Sequence, residues 1–332
     1  MKKTICIAML ILMIFASLTT VAEADTDQEI TVVDARGKTI TFESPPERIV
    51  SFMASNTEIL FHLGLGDRVV AVDDYSDYPE EVQELPKVGD AFGVNYELIV
   101  KMSADVVVTA SYNAEMITYL EGIGQKVVAT SATTVDDVYS DMEILGKMCG
   151  MESEAKEMAD VLRGQMDQLT ADTRGLSEQD RPKVLYVVST FQGIWTTGVE
   201  TFQNTLLHDA GAKNIAGEKT GWIALSEEEV LAADPEVIIA VDTVRAELGE
   251  LLKKDSWSQI HAVKNDNIFY VDDNIMSRPG PRVVEAQEAL VDIITGVIPE
   301  ERIDEETPAL GGLTVATVVA MAAIFKERKR RG

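Results

Sequence analysis

Polar and aromatic side chains follow the apolar runs of this sequence, where connections after strands are expected. The run at 49–52 leads into a Ser-Asn pair, and the run at 69–72 leads into an Asp-Tyr-Ser triplet at 74–76. Aromatic faces with a few fixed polar groups suit a large flat ligand, because dispersion and buried area supply most of its affinity. The candidate ligand-binding residues are Ser55, Asn56, Asp74, Tyr75, Ser76, Phe92, Tyr112, Trp195, Trp222 and Arg278.

Residues that would catalyse a reaction or hold a metal are much scarcer in the sequence. His62, His208 and His261 are far apart, and none has the spacing of a metal site. The sequence has no G-x-S-x-G, no C-x-x-C and no phosphate-binding loop. Cys149 ends an apolar helical run and is interpreted as a core residue rather than a nucleophile. No catalytic residue and no metal site are therefore predicted.

The elements that must position the candidate residues alternate between strand and helix. A hairpin is predicted over 30–42, with Gly37 available for a positive φ in its turn. Runs rich in Val and Ile then alternate with helical stretches, which is typical of a parallel sheet with right-handed crossovers. Strands are predicted at 49–52, 69–72, 106–110 and 127–130, and helices at 56–63, 95–102 and 113–122.

A long helical stretch separates this first set of elements from a second one. Between 155 and 169, apolar residues recur at spacings of three and four, with charged residues between them. We predict one long amphipathic helix from 152 to 174, about 35 Å in length, preceded by a shorter helix at 136–148. Strands then follow at 184–189, 237–241 and 268–271, with helices at 200–210, 246–253 and 282–298.

The predicted fold is α/β: two Rossmann-like parallel-sheet lobes bridged by one long α-helix. Loops at the strand ends of both lobes are expected to form a cleft between them. The predicted segments are a signal peptide (1–24), an N-terminal lobe (25–135), the bridging helix region (136–176), a C-terminal lobe (177–298), an acidic spacer (299–309) and a hydrophobic segment with a basic tail (310–332).

Both ends of the chain carry targeting patterns. Residues 1–24 combine two lysines, an apolar core and the exit Val-Ala-Glu-Ala, which indicates a secretory signal peptide, with an uncleaved anchor as the alternative. The apolar run at 310–325 precedes a basic tail and predicts a membrane anchor or a sorting signal, with an amphipathic surface helix as the alternative. The expected location is outside the cytoplasmic membrane, tethered to it or to the cell surface.

The charge balance excludes one class of partner. The chain carries 56 acidic and 29 basic residues, a formal net charge of −27. Such a surface repels nucleic acid and favours solubility. Nucleic acid is therefore not an expected partner, and the protein is expected to be a monomer.

Four segments resemble the substrate-binding proteins of vitamin B12 and iron-siderophore ABC importers, in which a rigid helix bridges two α/β lobes. The resemblance extends over nearly the whole of residues 30–298 and is densest in four segments, which lie in the same order along the chain. They are 46–79, 86–108 (PKVGDAFGVNYELIVKMSADVVV), 221–239 (GWIALSEEEVLAADPEVII) and 278–290 (RPGPRVVEAQEAL). The resemblance implies a binding protein that captures cobalamin or another corrinoid and passes it to an ABC permease and its ATPase.

The same resemblance assigns roles to single aromatic residues. Tyr75 and Trp222 stand where cobalamin-binding relatives place aromatics against the ring, and Trp195 lies near another such position. Alanines at 91 and 110 lie near places where tryptophan would be expected, and Phe92 and Tyr112 are the candidate replacements. A ferric siderophore or heme on the same scaffold is the alternative ligand, and a metal-cofactor enzyme of similar fold or a tethered adhesin are further ones. No catalytic cofactor is implied.

Four charged or exposed positions keep two interpretations each. Glu97 and Glu228 match, one per lobe, the carboxylates with which relatives dock onto the permease, although a helix start also favours a negative charge. Arg278 is expected either to bind an anionic group of the ligand or to pair with a local aspartate. Trp222 is expected in a loop, with a core role as the alternative.

Overall fold

The computed structural model describes residues 29–131 and 133–297. The predicted signal peptide, acidic spacer and hydrophobic tail lie outside the described residues. Among the helices that are described, none combines the length and the apolar character needed to cross a membrane.

The first lobe is built on a parallel sheet with a hairpin beside it. The hairpin pairs β1 (Ile30–Val33) with β2 (Thr39–Phe42). The sheet has the order β4-β3-β5-β6, from β3 (Ile49–Phe52), β4 (Val69–Val72), β5 (Val106–Ala110) and β6 (Val127–Thr130). Its helices are α1 (Ala54–His62), α2 (Tyr96–Lys101) and α3 (Ala114–Gly122), with a 3-10 turn at Glu80–Glu84.

The second lobe is also built on a parallel sheet, and it contains an additional antiparallel pair of strands. Its parallel sheet has the order β12-β11-β7-β9, and the antiparallel pair β8-β10 lies beside it. The strands are β7 (Lys183–Val187), β8 (Ile194–Thr197), β9 (Lys213–Asn214), β10 (Trp222–Leu225), β11 (Val237–Val241) and β12 (Ile268–Val271). The helices are α7 (Phe202–Asp209), α8 (Glu227–Ala233), α9 (Arg245–Leu252), α10 (His261–Lys264), α11 (Asp273–Ser277) and α12 (Val283–Val297).

Between the lobes the chain forms α4 (Val135–Met148), α5 (Glu152–Leu169) and the short α6 (Ala171–Arg174). The predicted helix 152–174 is therefore interrupted at Thr170. There the hydroxyl of Thr170 donates to the carbonyl of Met166 at 2.8 Å, a bond that competes with regular helix geometry. The 18 residues of α5 span about 27 Å.

Helix α5 joins the lobes by packing against both sides. It contacts α4, which packs on β1, α1 and β6 of the first lobe, and it contacts α12 of the second lobe. The approach of α4 to α5 requires glycine, because a Cβ on Gly146 would lie 2.1 Å from the Cβ of Ala155. One continuous hydrophobic core runs from the first sheet through α4 and α5 into the second sheet.

Candidate functional site

The first lobe presents exposed aromatic rings after its strands. Tyr75 follows β4, Phe92 lies between β4 and α2, and Tyr112 follows β5. All three are exposed, by 61%, 96% and 66% respectively, although large aromatic side chains are usually buried. The carboxyl ends of neighbouring parallel strands meet at one edge of a sheet, so Tyr75 and Tyr112 share that edge.

The second lobe presents two tryptophans from the antiparallel β8–β10 pair. Trp222 lies opposite Thr197 and Trp195 opposite Ala224, which places both tryptophans on the same face as diagonal neighbours. The other face carries Ile194 and Leu225, which are buried. Trp222 opens a strand rather than lying in the expected loop, and it is 53% exposed. The pairing with β8 holds it in place.

The Trp195 ring is fixed further by a hydrogen bond. Its indole Nε1 donates to the carbonyl of Phe191 at 2.9 Å. Phe191 is itself exposed and follows β7. Both lobes therefore carry exposed aromatic rings in loops that follow strands. A flat ligand bound between the lobes would need such rings to pack against its faces.

Ser55, Asn56 and Ser76 are buried instead of lying at the surface. Ser55 and Asn56 are buried in the first turn of α1, and their side-chain polar atoms have no hydrogen-bond partner among the described residues. A Cβ on Gly280 would lie 3.6 Å from the Cα of Ser55, so the second lobe covers this turn. The expected position at the surface is thus corrected, and ligand contact by these residues stays a prediction.

Ser76 supports the Tyr75 loop from inside. Its hydroxyl lies 2.8 Å from the Thr57 hydroxyl and donates to the carboxylate of Asp73. The ammonium group of Lys87 donates to the carbonyl of Ser76. Burial raises the pKa of Asp73, while its hydrogen bond with Ser76 acts in the opposite direction. Asp74, by contrast, is exposed on the same loop.

Arg278 connects the two lobes. Its guanidinium donates to Asp77 Oδ1 at 2.6 Å, to the Tyr75 carbonyl at 3.1 Å and to Glu58 Oε1 at 3.3 Å, all in the first lobe. Within its own lobe it donates to Asn274 Oδ1 at 2.6 Å. Of the two expectations for Arg278, pairing with an aspartate is the one observed, but this aspartate belongs to the other lobe. Ligand binding by Arg278 stays a prediction.

Arg282 completes this interlobe clamp, which we define as Glu58, Asp77, Arg278 and Arg282. Arg282 Nε and Nη2 donate to the two oxygens of Glu58 at 2.9 and 2.6 Å, a bidentate arrangement. The Glu58 side chain is only 2% exposed. The Tyr78 ring packs against the Arg282 guanidinium, with 4.2 Å from Cζ to the ring centroid. The hydrogen bond from Arg278 lowers the pKa of Asp77.

Sequence reasoning missed most of the clamp. Glu58 stands inside an apolar helical run, where its interlobe partners are invisible, since Arg278 and Arg282 come more than two hundred residues later. The signal available was a charged residue within an apolar helical run, because buried carboxylates need a cationic partner.

Glu97 and Glu228 occupy equivalent places in the two lobes. Each is exposed in the first turn of a helix, α2 for Glu97 and α8 for Glu228. The strands that follow these helices, β5 and β11, pair with the first parallel strands of their lobes, β3 and β7. The neighbours of Glu228 are engaged: Glu227 binds Lys254 and Trp257, and hydrogen bonds from Lys219 and Ser226 lower the pKa of Glu229 to about 2. Glu228 therefore has the least constrained side chain of the three.

The residues with reactive side chains are distributed without a common centre. Cys149 is buried in the core, and burial raises the pKa of its thiol to about 12, as expected for a structural cysteine. No group of acidic, histidine and cysteine side chains within the described residues could hold a metal ion. Histidine 62, at the end of α1, has a pKa lowered by burial.

Two parallel-sheet lobes joined by a packed helix, with exposed aromatic rings on both lobes, agree with the binding-protein architecture expected from the sequence. The chain belongs to the periplasmic binding protein family, whose model matches residues 49–275. The predicted class, a binding protein rather than an enzyme, is confirmed by this membership.

Three similar proteins illustrate the range within the family. The uncharacterized ABC transporter substrate-binding lipoprotein YvrC of Bacillus subtilis is 34% identical over 270 residues, covering 80% of this chain and 85% of the relative. A vitamin B12-binding protein of Photorhabdus laumondii is 27% identical, with coverage of 74% and 86%. A Staphylococcus epidermidis structure, described as a possible iron-binding periplasmic solute-binding protein, has a TM-score of 0.67 at 30% identity and covers 76% of this chain and 99% of its own.

Proposed function

We propose that this protein captures cobalamin or a related corrinoid between its lobes and delivers it to an ABC permease. The observation that carries the proposal is the set of exposed aromatic rings on both lobes, above all Tyr75 and Trp222. A corrinoid is a broad, flat ring, and aromatic faces bury its surface with little need for charge. The similar vitamin B12-binding protein supports the same ligand class.

The charge of the cleft also favours a ligand without strong negative charge. Arg278 and Arg282 lie beside the Tyr75 loop, and both are engaged by carboxylates of the first lobe. A ferric siderophore with several anionic groups would need free cations in their place. An iron complex remains the second candidate, because the Staphylococcus epidermidis structure is described as possibly iron-binding.

A fluorescence titration of the full chain tests the proposal. Cobalamin, cobinamide, heme and a ferric siderophore are each added while tryptophan emission is recorded, since Trp195 and Trp222 are exposed and Trp257 is buried. We expect saturable quenching with a corrinoid, which a Trp222→Phe variant reduces. Absence of quenching and of heat in calorimetry with every corrinoid would contradict the proposal.

Delivery is assigned to Glu97 and Glu228, one carboxylate on each lobe. Paired acidic anchors at equivalent helix starts would set the orientation of the protein on a permease that presents basic residues. We place the protein outside the cytoplasmic membrane as a monomer, tethered through the apolar segment at 310–325.

A further inference from the structure

A cavity of about 400 Å³ opens in the second lobe beside the β8–β10 strand pair that carries Trp195 and Trp222. It lies after β7 and β11, two paired parallel strands whose carboxyl ends meet at one edge of the sheet. The residues that line it are Ser189, Thr190, Phe191, Gln192, Thr243, Val244 and Glu247.

One wall of this cavity is a fixed turn, residues 189–193. The Ser189 hydroxyl accepts from the Phe191 amide at 3.2 Å, and the Phe191 carbonyl accepts from the Trp195 indole at 2.9 Å. Gln192 has a φ of 56°, a conformation that costs energy for a residue with a side chain and persists where the surroundings hold it. The turn therefore links the cavity to the Trp195 ring of the proposed ligand cleft.

Glu247 is the single charged residue among the seven that line the cavity. It is exposed, and no hydrogen bond or ion pair engages its carboxylate within the described part of the chain. Arg245, two residues earlier, is not in the lining and stacks on Tyr270 at 3.7 Å. Hydroxyl groups, an amide, an aliphatic side chain and a phenyl ring make up the rest of the lining.

Such a lining distinguishes between ligand groups by charge. A free carboxylate accepts hydrogen bonds from N–H and O–H donors, and it repels a second carboxylate. The position of Glu247 in the first turn of α9 would by itself favour a negative charge. The helix dipole explains why position 247 carries an acidic residue, but it does not explain why none of the seven lining residues is cationic.

We infer that Glu247 and this cavity form a subsite for a hydrogen-bond-donating, uncharged arm of the ligand, such as a primary amide, and that Glu247 rejects ligands carrying a carboxylate there. This inference rests on the proposed function, because it places the subsite beside the ring-binding aromatics. The inference adds a selectivity to that function: ring ligands whose side groups are amides bind in preference to those whose side groups are carboxylates.

The test compares matched rings on the full chain at pH 7.5. Cobinamide and cobyrinic acid share the cobalt corrin ring but carry amides and carboxylates respectively. Heme and its bis-amide provide the same contrast on a second ring. We expect the wild-type protein to bind each amide form at least about tenfold more tightly than the acid form, the size of effect that one like-charge contact produces. Glu247→Gln is expected to reduce that ratio to about threefold or less.

A matched control removes a charge outside the cavity. Glu250→Gln lies on the same helix, where Glu250 pairs with Lys253, and we expect it to keep the wild-type ratio. Thermal unfolding checks that both variants fold. An unchanged ratio in Glu247→Gln overturns the inference while leaving the proposed function intact. If neither corrin binds, the proposed function fails, and the heme pair still decides the subsite; if no ring of either kind binds, both claims are overturned.

Discussion

Single aromatic side chains provide the sharpest test of the binding site. Tyr75 and Trp222 are more than half exposed, so truncating either removes little packing from the folded protein. Each ring is expected to bury against the ligand, and its loss should weaken binding about tenfold, or ~1.4 kcal/mol. Titration of Tyr75→Ala and Trp222→Ala with cobinamide measures the loss.

Tyr119 offers a matched control for these two substitutions. It is also exposed, but it lies within α3 and packs against Tyr96, with 4.2 Å between the ring centroids. Tyr119→Ala should leave corrinoid affinity unchanged. An equal loss in all three variants would show that exposed rings act through general stability and would contradict a ring-binding role for Tyr75 and Trp222.

Between elements, the interlobe clamp should contribute to stability in a pH-dependent way. Arg278 lowers the pKa of Asp77 below its ordinary 3.8 in the folded protein. A carboxyl with a lowered folded-state pKa adds stability above its ordinary pKa and loses it as the pH falls through the folded value. Asp77→Asn should therefore destabilise the protein at pH 7, by less than about 1 kcal/mol because the side chain is half exposed, and the loss of stability should shrink as the pH falls below 3.8.

Glu58→Gln is the contrasting variant in the same clamp. Its side chain is buried, and its loss leaves the Arg282 and Arg278 guanidinium groups short of a partner, which costs about 3 kcal/mol. Urea unfolding followed by circular dichroism measures both variants across pH. If the destabilisation by Asp77→Asn does not decrease anywhere as the pH is lowered below 3.8, the ion pair with Arg278 is not the source of the effect.

The strands could be predicted from sequence far better than the contacts between elements. The parallel strands at 49–52, 69–72, 106–110, 127–130 and 237–241 have the predicted bounds, because continuous Val and Ile runs mark strands buried on both faces. The antiparallel β8–β10 pair escaped prediction, since its two short strands are separated by 24 residues that contain α7 and β9. The interlobe clamp could not be predicted either, because its residues are far apart in the sequence and come together only in the folded chain.

For the whole molecule, the continuous core limits how far the lobes can move. The core passes from the first sheet through α4 and α5 to the second, so wide opening would expose buried apolar surface. A small rotation that keeps α5 packed is the motion the architecture permits. The proposed delivery would then depend on recognition of a nearly rigid shape, with one carboxylate on each lobe fixing its orientation on the permease.

That rigidity makes the paired carboxylates testable as a unit. The double variant Glu97→Ala, Glu228→Ala should bind corrinoid with unchanged affinity, because both side chains are exposed in the first turn of a helix and neither is among the candidate ligand-binding residues. It should lose stimulation of the permease's ATPase in vesicles, since two charged contacts set the encounter with basic residues. Glu80→Ala is a control exposed on the first lobe. Full ATPase stimulation by the double variant would contradict docking through these two residues, and loss of ligand binding would show instead that they support the fold.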